Sequence, residues 1–169
     1  MNADAGEDRD RLLREAVGLR QAGRREEARE QLVRLAALFP ADEEVAYQTA
    51  WVHDTLGLEA EAVPYYERAL AGDALAGNDR RGALLGLGST YRILGRYEEA
   101  VATLGDAVAE FPDDNGLKTF LAMALYNVGR THDAMQLLLT LLVATSNDPE
   151  VEGYRPAIEE YAKDLDATI

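Results

Sequence analysis

The chain has 169 residues, 47% of them apolar, enough for a buried core and too many for wholesale disorder. Its 31 acids against 17 bases give a net charge of −14, which excludes nucleic-acid and anionic-membrane partners because both require a basic face. With no cysteine there is no disulfide, thiolate metal site or cysteine nucleophile, and no apolar run is long enough to cross a bilayer.

Residues 1–8 are polar and acidic, and are expected to fray. The opening MNADAGEDRDRLLREA lacks a basic region followed by an apolar run, so no secretory signal is expected and the chain reads as soluble and cytoplasmic. A first helical hairpin is predicted over 9–41. Arg14 and Glu15 stand where later hairpins carry apolar groups, as suits a terminal repeat with a polar outer face. Pro40 closes it and Asp42 can cap the next helix. The second hairpin, 43–78, carries Tyr47, Trp51 and His53 on its first helix, and Pro64, Tyr65 and Tyr66 on its second. Its final AGDALAGN, residues 71–78, reads as a flexible glycine-bounded loop. The third hairpin, 79–114, starts with Asp79 as cap, turns at Leu94-Gly95 and stops at Phe111-Pro112, after which Asp113 or Asp114 can cap the fourth, 115–146. Asp148-Pro149-Glu150 then begins a last helix within 149–169. Val151, Tyr154, Ile158, Tyr161, Ala162 and Leu165 form its apolar stripe, which is expected to cover the edge of the fourth hairpin.

The four hairpins share one register. Turn glycines stand at Gly23, Gly57, Gly95 and Gly129. Five residues after each comes an alanine: Ala28, Ala62, Ala100 and Ala134. Seven before each comes a small residue: Ala16, Ala50, Gly88 and Ala122. Leu32, Tyr66, Leu104 and Leu138 follow the alanines by four. Small residues at a helix crossing let the two backbones approach. The repeat length of about 34 residues is that of a tetratricopeptide repeat, and the chain resembles that superfamily over residues 9–146. More narrowly, HDTLGLEAEAVPYYERAL, DRRGALLGLGSTYRILGRYEEA and the final GYRPAIEEYAKDL are similar to the bacterial group 5 tetratricopeptide repeat family, over about 45–165. Departures from the general repeat are His53 for a tyrosine, Lys118 for an aromatic or leucine, and Ala74 and Ser146 for the closing proline. The resemblance implies an all-α, right-handed solenoid of four hairpins (9–148) with a C-terminal capping helix (149–169). It implies a binding role and carries over no catalytic residue.

In such a solenoid the first helix of each repeat lines a concave groove. The slots facing it hold Leu13, Val17 and Arg20; Tyr47, Gln48, Trp51 and Asp54; Leu85, Ser89 and Arg92; and Phe120, Met123, Tyr126 and Asn127. Tyr47, Trp51, Phe120 and Tyr126 are expected to form an anchoring surface pointing away from the core, since aromatics on a solvated wall are the residues enriched at binding hot spots. The plainer alternative is a tight superhelix in which they pack on one another. Some family members grip a peptide carboxylate with lysine and asparagine; the matching slots here are Leu13, Val17, Gln48, Gly82 and Gly86, so that clamp is absent. Asp54 and Arg92 fall in equivalent slots on successive first helices and read as a pair across the groove, either a charged anchor for a ligand or, the preferred reading, a partly buried ion pair fixing the stack. His53 reads as a hydrogen-bonded core histidine, and neither it nor His132 has metal-ligand spacing. Gly86-Leu87-Gly88-Ser89 lies inside a helix with no strand before it, so it is no phosphate loop, and Ser89 has no histidine partner. No enzyme signature, cofactor or metal site is found. The expected function is binding a peptide or protein segment with apolar anchors and a basic flank; the alternative is a self-assembly module forming homo-oligomers, with a small-molecule sensor or enzyme ranked last.

Overall fold

The computed structural model describes residues 2–168, with side chains from residue 6 onward. Its regular structure, among the described residues, is all helical: α1 (Asn2–Gln21), α2 (Arg25–Leu38), α3 (Glu43–Asp54), α4 (Glu59–Ala69), α5 (Gly77–Ile93), α6 (Tyr97–Glu110), α7 (Asn115–Asn127), α8 (Thr131–Thr145) and α9 (Pro149–Tyr161). The chain divides into two compact units, Met1–Leu94 and Gly95–Ile169, where length alone suggests one domain. A repeat array holds together through neighbours in sequence, so it can divide inside a hairpin, here at the Gly95 turn of the third.

Within the first unit α1 packs on α2, α3 on α4, and α5 on both α3 and α4. Gly23 and Gly57 end α1 and α3 in the left-handed conformation, with φ of 81° and 71°. The amides that follow, of Arg24 and Leu58, reach back to the carbonyls of Leu19 and His53 at 2.9 and 3.0 Å, satisfying helix-end acceptors. Gly95 and Gly129 are left-handed too, with φ of 75° and 80°, and after Gly129 the Arg130 amide reaches the Leu125 carbonyl at 2.9 Å. Asp42, Asp114 and Asp148 cap α3, α7 and α9 by accepting from the amides of Val45, Leu117 and Glu150 at 2.9, 2.8 and 2.9 Å. Ala16, Ala28 and Leu32 join Leu35, Val45 and Val52 in one buried cluster, and Ala122, Leu125 and Ala134 form another in the second unit.

α1 runs from Asn2 (Met1 lies outside the described residues), with Arg11 pairing with Asp8 and Glu15 along the helix and Arg9 bonded to Asp42. Three sequence expectations are corrected. α5 begins at Gly77 rather than at an Asp79 cap. The loop before it is pinned, not flexible: Leu75 is buried and its amide donates to Glu43 Oε2 at 2.7 Å. In the second unit Leu138 is exposed although its counterparts Leu32, Tyr66 and Leu104 are buried, and Tyr154, Tyr161 and Leu165 of the last stripe are exposed as well. One capping helix covers less of α8 than a whole hairpin would, so Met135, Leu138 and Leu142, three residues of one stripe, stay in solvent.

Candidate binding groove

In the first unit the groove residues lie on α1, α3 and α5. Trp51 is 41% exposed, whereas Tyr47 is only 5% exposed and belongs to the core. Gly82 is the reason. A Cβ there would meet the end of the Tyr47 side chain, 3.1 Å from Cζ and nearer still to the hydroxyl, so the glycine on α5 lets the ring lie close against that helix. Tyr47 and Trp51 stack with centroids 5.7 Å apart, one turn apart on α3. The Arg20 guanidinium lies over the Trp51 ring, 3.5 Å from its centroid, a cation–π contact made by residues from neighbouring hairpins. Gln48 and Leu13 are buried, and Val17, Leu85, Ser89 and Arg92 half-buried. Leu13, Val17 and Gln48 line an open cleft of about 620 Å³ with Arg9, Arg14 and Glu44 on its rim.

Asp54 does not pair with Arg92. Its two oxygens accept instead from the hydroxyls of Tyr66 and Thr90, at 2.8 and 2.9 Å. Burial pushes the Asp54 carboxyl above its ordinary range, against the opposing pull of these two hydroxyls. Tyr66 is buried, and burial together with the Asp54 charge holds its phenol protonated far above the usual range. A Cβ on Gly86 would fall 2.7 Å from Tyr66 Cε1, so Gly86 stands to Tyr66 as Gly82 stands to Tyr47. Sequence reasoning read these glycines as empty clamp slots. Their signal was the four-residue spacing on one helix face opposite two tyrosines of the preceding hairpin.

His53 is a core histidine: Nδ1 donates to the Thr49 carbonyl at 2.7 Å, since that oxygen can only accept, and the ring stacks on Tyr65. His132 is exposed, with Nε2 2.9 Å from Asp166. Among the described residues no three His, Asp or Glu side chains converge as a metal site would require. No described helix is long and apolar enough to cross a membrane.

In the second unit the corresponding residues lie on α7. Tyr126 is 66% exposed and Met123 is exposed too, while Phe120 and Asn127 are half-buried. The four expected anchors therefore divide: Trp51 and Tyr126 reach solvent, Phe120 does so in part, and Tyr47 is core.

No curated protein matches the sequence. Among solved structures, MamA from Desulfovibrio magneticus RS-1, residues 41 to the end, is similar with 20% identity and a TM-score of 0.72, over 93% of this chain and 90% of that one. PilF of Pseudomonas aeruginosa matches with 22% identity and a TM-score of 0.67, over 95% of this chain and 75% of the other. The anaphase-promoting-complex hetero-tetramer Cut9–Hcn1 matches with 19% identity and a TM-score of 0.69, over 89% of this chain and 29% of the matched chain. At these identities the likeness speaks for the fold, an all-α solenoid class. The family model described as tetratrico peptide repeat matches residues 43–165. From the glycine-turned hairpins, the small residues at their crossings and that match, the chain belongs to the tetratricopeptide repeat family.

Proposed function

We propose that the chain is an interaction module that binds a peptide or protein segment along its first helices. The family and fold support an interaction or assembly role, and the observation that carries the finer reading is Trp51. It is the only tryptophan in the chain, two-fifths exposed, stacked on Tyr47 and covered on one face by the Arg20 guanidinium. A large aromatic kept partly in solvent on a fixed helix is the residue type that dominates binding energy when a partner covers it. Tyr126 and Met123 offer a similar surface on the second unit. The net charge of −14 favours a partner with a basic flank, whose attraction weakens with salt, while apolar anchors are nearly salt-insensitive.

Capture from a native lysate, compared between wild type and Trp51→Ala and followed by titration of each captured segment, tests this reading. A segment that loses affinity for the folded variant supports it. Segments that bind both forms equally place the site elsewhere. The self-assembly alternative is separated by sedimentation at two concentrations: a mass that stays that of the monomer removes it.

A further inference from the structure

Large apolar side chains left in solvent gather at one end of the second unit. Of the thirteen exposed among the described residues, six fall within 135–165: Met135, Leu138 and Leu142 on α8, and Tyr154, Tyr161 and Leu165 on and just after α9. Their spacing is helical, in steps of three, four and seven, so each set forms one stripe. Neither stripe is the one its helix buries. α8 buries Ala134 and Leu141, and α9 turns Ala162 fully, and Val151 and Ile158 in part, away from solvent. His132 Nε2 lies 2.9 Å from Asp166, which brings Leu165 to the end of α8 where Met135 stands. Exposed apolar surface rimmed by polar residues marks an interaction site.

The rim here is acidic. Residues 131–169 hold eight acids against two bases, Arg155 and Lys163. Seven of those acids are exposed and Asp133 is half-buried. Both bases already face acids: Arg155 Nη2 stands 3.9 Å from Glu152, and Lys163 Nζ 2.5 Å from Glu160. An unbalanced negative field therefore surrounds the two stripes, and it decides between occupants. A second copy would set the same acids against one another, and like charges brought together across an interface are costly. A helix with apolar residues on one side and lysines or arginines along its edges covers the apolar area and balances the charge. A helix is also the shape that fits. Ridges spaced three and four residues apart seat the ridges of another helix, as α7 and α8 already show through Ala122, Leu125 and Ala134.

We propose that the α8 and α9 stripes of the second unit are a docking surface for a basic amphipathic helix of another protein. Its apolar face covers Leu138, Leu142 and Tyr161, and its cations meet the acids of residues 131–169. The surface shares no residue with the groove around Trp51, so it goes beyond that reading and does not depend on it.

Three acetylated and amidated helical peptides, each about five turns long, test it. The first carries leucines on one face and lysines along both edges. The second has glutamates in place of those lysines. The third keeps the composition of the first with its leucines spread around the helix. Each is labelled with a fluorophore and titrated with the full chain while anisotropy is followed. The first should bind at least tenfold more tightly than either control, and more weakly as salt rises. Leu138→Ser with Leu142→Ser, and separately the outward Tyr161→Ser, each checked for helicity, should weaken it at least tenfold, while Trp51→Ala leaves it unchanged. Equal binding of the lysine and glutamate peptides overturns the proposal. So does binding that is lost in Trp51→Ala and kept in the folded α8 and α9 variants, which moves the peptide to the groove. No binding of any peptide up to millimolar concentration removes the surface. Sedimentation of the chain alone covers the remaining occupant: a dimer that Leu138→Ser with Leu142→Ser turns into monomer gives the face to a second copy and overturns the proposal too. The groove keeps its own test throughout, the response of a captured segment to Trp51→Ala.

Discussion

Replacing Gly86 with alanine puts a methyl group where the Tyr66 ring already stands. The new Cβ would lie 2.7 Å from Cε1 and nearer still to Cζ and the hydroxyl. Tyr66 has nowhere to withdraw. It is among the largest fully buried side chains, and its hydroxyl donates to Asp54 at 2.8 Å while Thr90 donates to the other Asp54 oxygen at 2.9 Å. Overpacking costs ~1–3 kcal/mol. Pulling the phenol off a half-buried carboxylate costs about 1.5–3 kcal/mol more. Alanine's better helix propensity offsets about 1 kcal/mol. The net loss is roughly 1.5–5 kcal/mol. Two controls bracket it. Gly82→Ala meets the end of Tyr47, whose hydroxyl has no bond to lose and whose ring can swing toward the groove, so about 1 kcal/mol or less is expected. Gly18 is exposed on α1 with nothing within 4 Å of a new Cβ, and Gly18→Ala should stabilise by about 0.5–1 kcal/mol. Urea unfolding followed by far-ultraviolet circular dichroism ranks the three variants. A Gly86→Ala protein as stable as wild type would refute the close approach of α4 and α5 through Tyr66.

Other outcomes follow from the same geometry. Asp54 has a raised folded-state pKa, so its ionisation opposes folding; on acidification from pH 7 to about 4 wild type should gain stability relative to Asp54→Asn, and a gain in the opposite direction means that the hydroxyls outweigh burial. Asp42 behaves inversely. Burial pushes it up, but Arg9 and the Val45 amide hold it below its usual range, so its contribution is present above the ordinary carboxylate pKa and lost as pH falls through the lower folded value. Arg9→Ala, which breaks two bonds of 2.7–2.8 Å to Asp42, should cost about 1–2 kcal/mol in urea unfolding, less in high salt. Deleting residues 149–169 uncovers α8 beside its already exposed Met135, Leu138 and Leu142, and light scattering should show self-association while the first unit stays helical. A monomeric truncated chain would show that α9 is no cap.

What the sequence made legible was local. A turn glycine, an aspartate before a helix and an alanine at a crossing each act within a few residues of themselves, so Gly23, Asp42 and Ala28 could be read in place. The burial of Tyr47 could not, because it depends on Gly82 of another hairpin. Asp54 was assigned to Arg92 because both occupy equivalent slots, but slot geometry says nothing of a tyrosine hydroxyl arriving from α4 at shorter reach. The loop 71–78 looked flexible for its glycines, and the leucine and distant glutamate that pin it lie outside any turn rule. The exposure of Leu138 followed the same logic: it has the right spacing, but whether it is buried depends on what packs over α8, and α9 leaves it in solvent.

Partner affinity measured side by side on wild type and Trp51→Ala, with helicity recorded on the same samples, tests the binding groove most directly. A partner seated in the groove loses about 2 kcal/mol or more, roughly thirtyfold in Kd, while helicity is retained because Trp51 is two-fifths exposed. Unchanged affinity in a folded variant would contradict the groove, and collapse of helicity would make Trp51 part of the core.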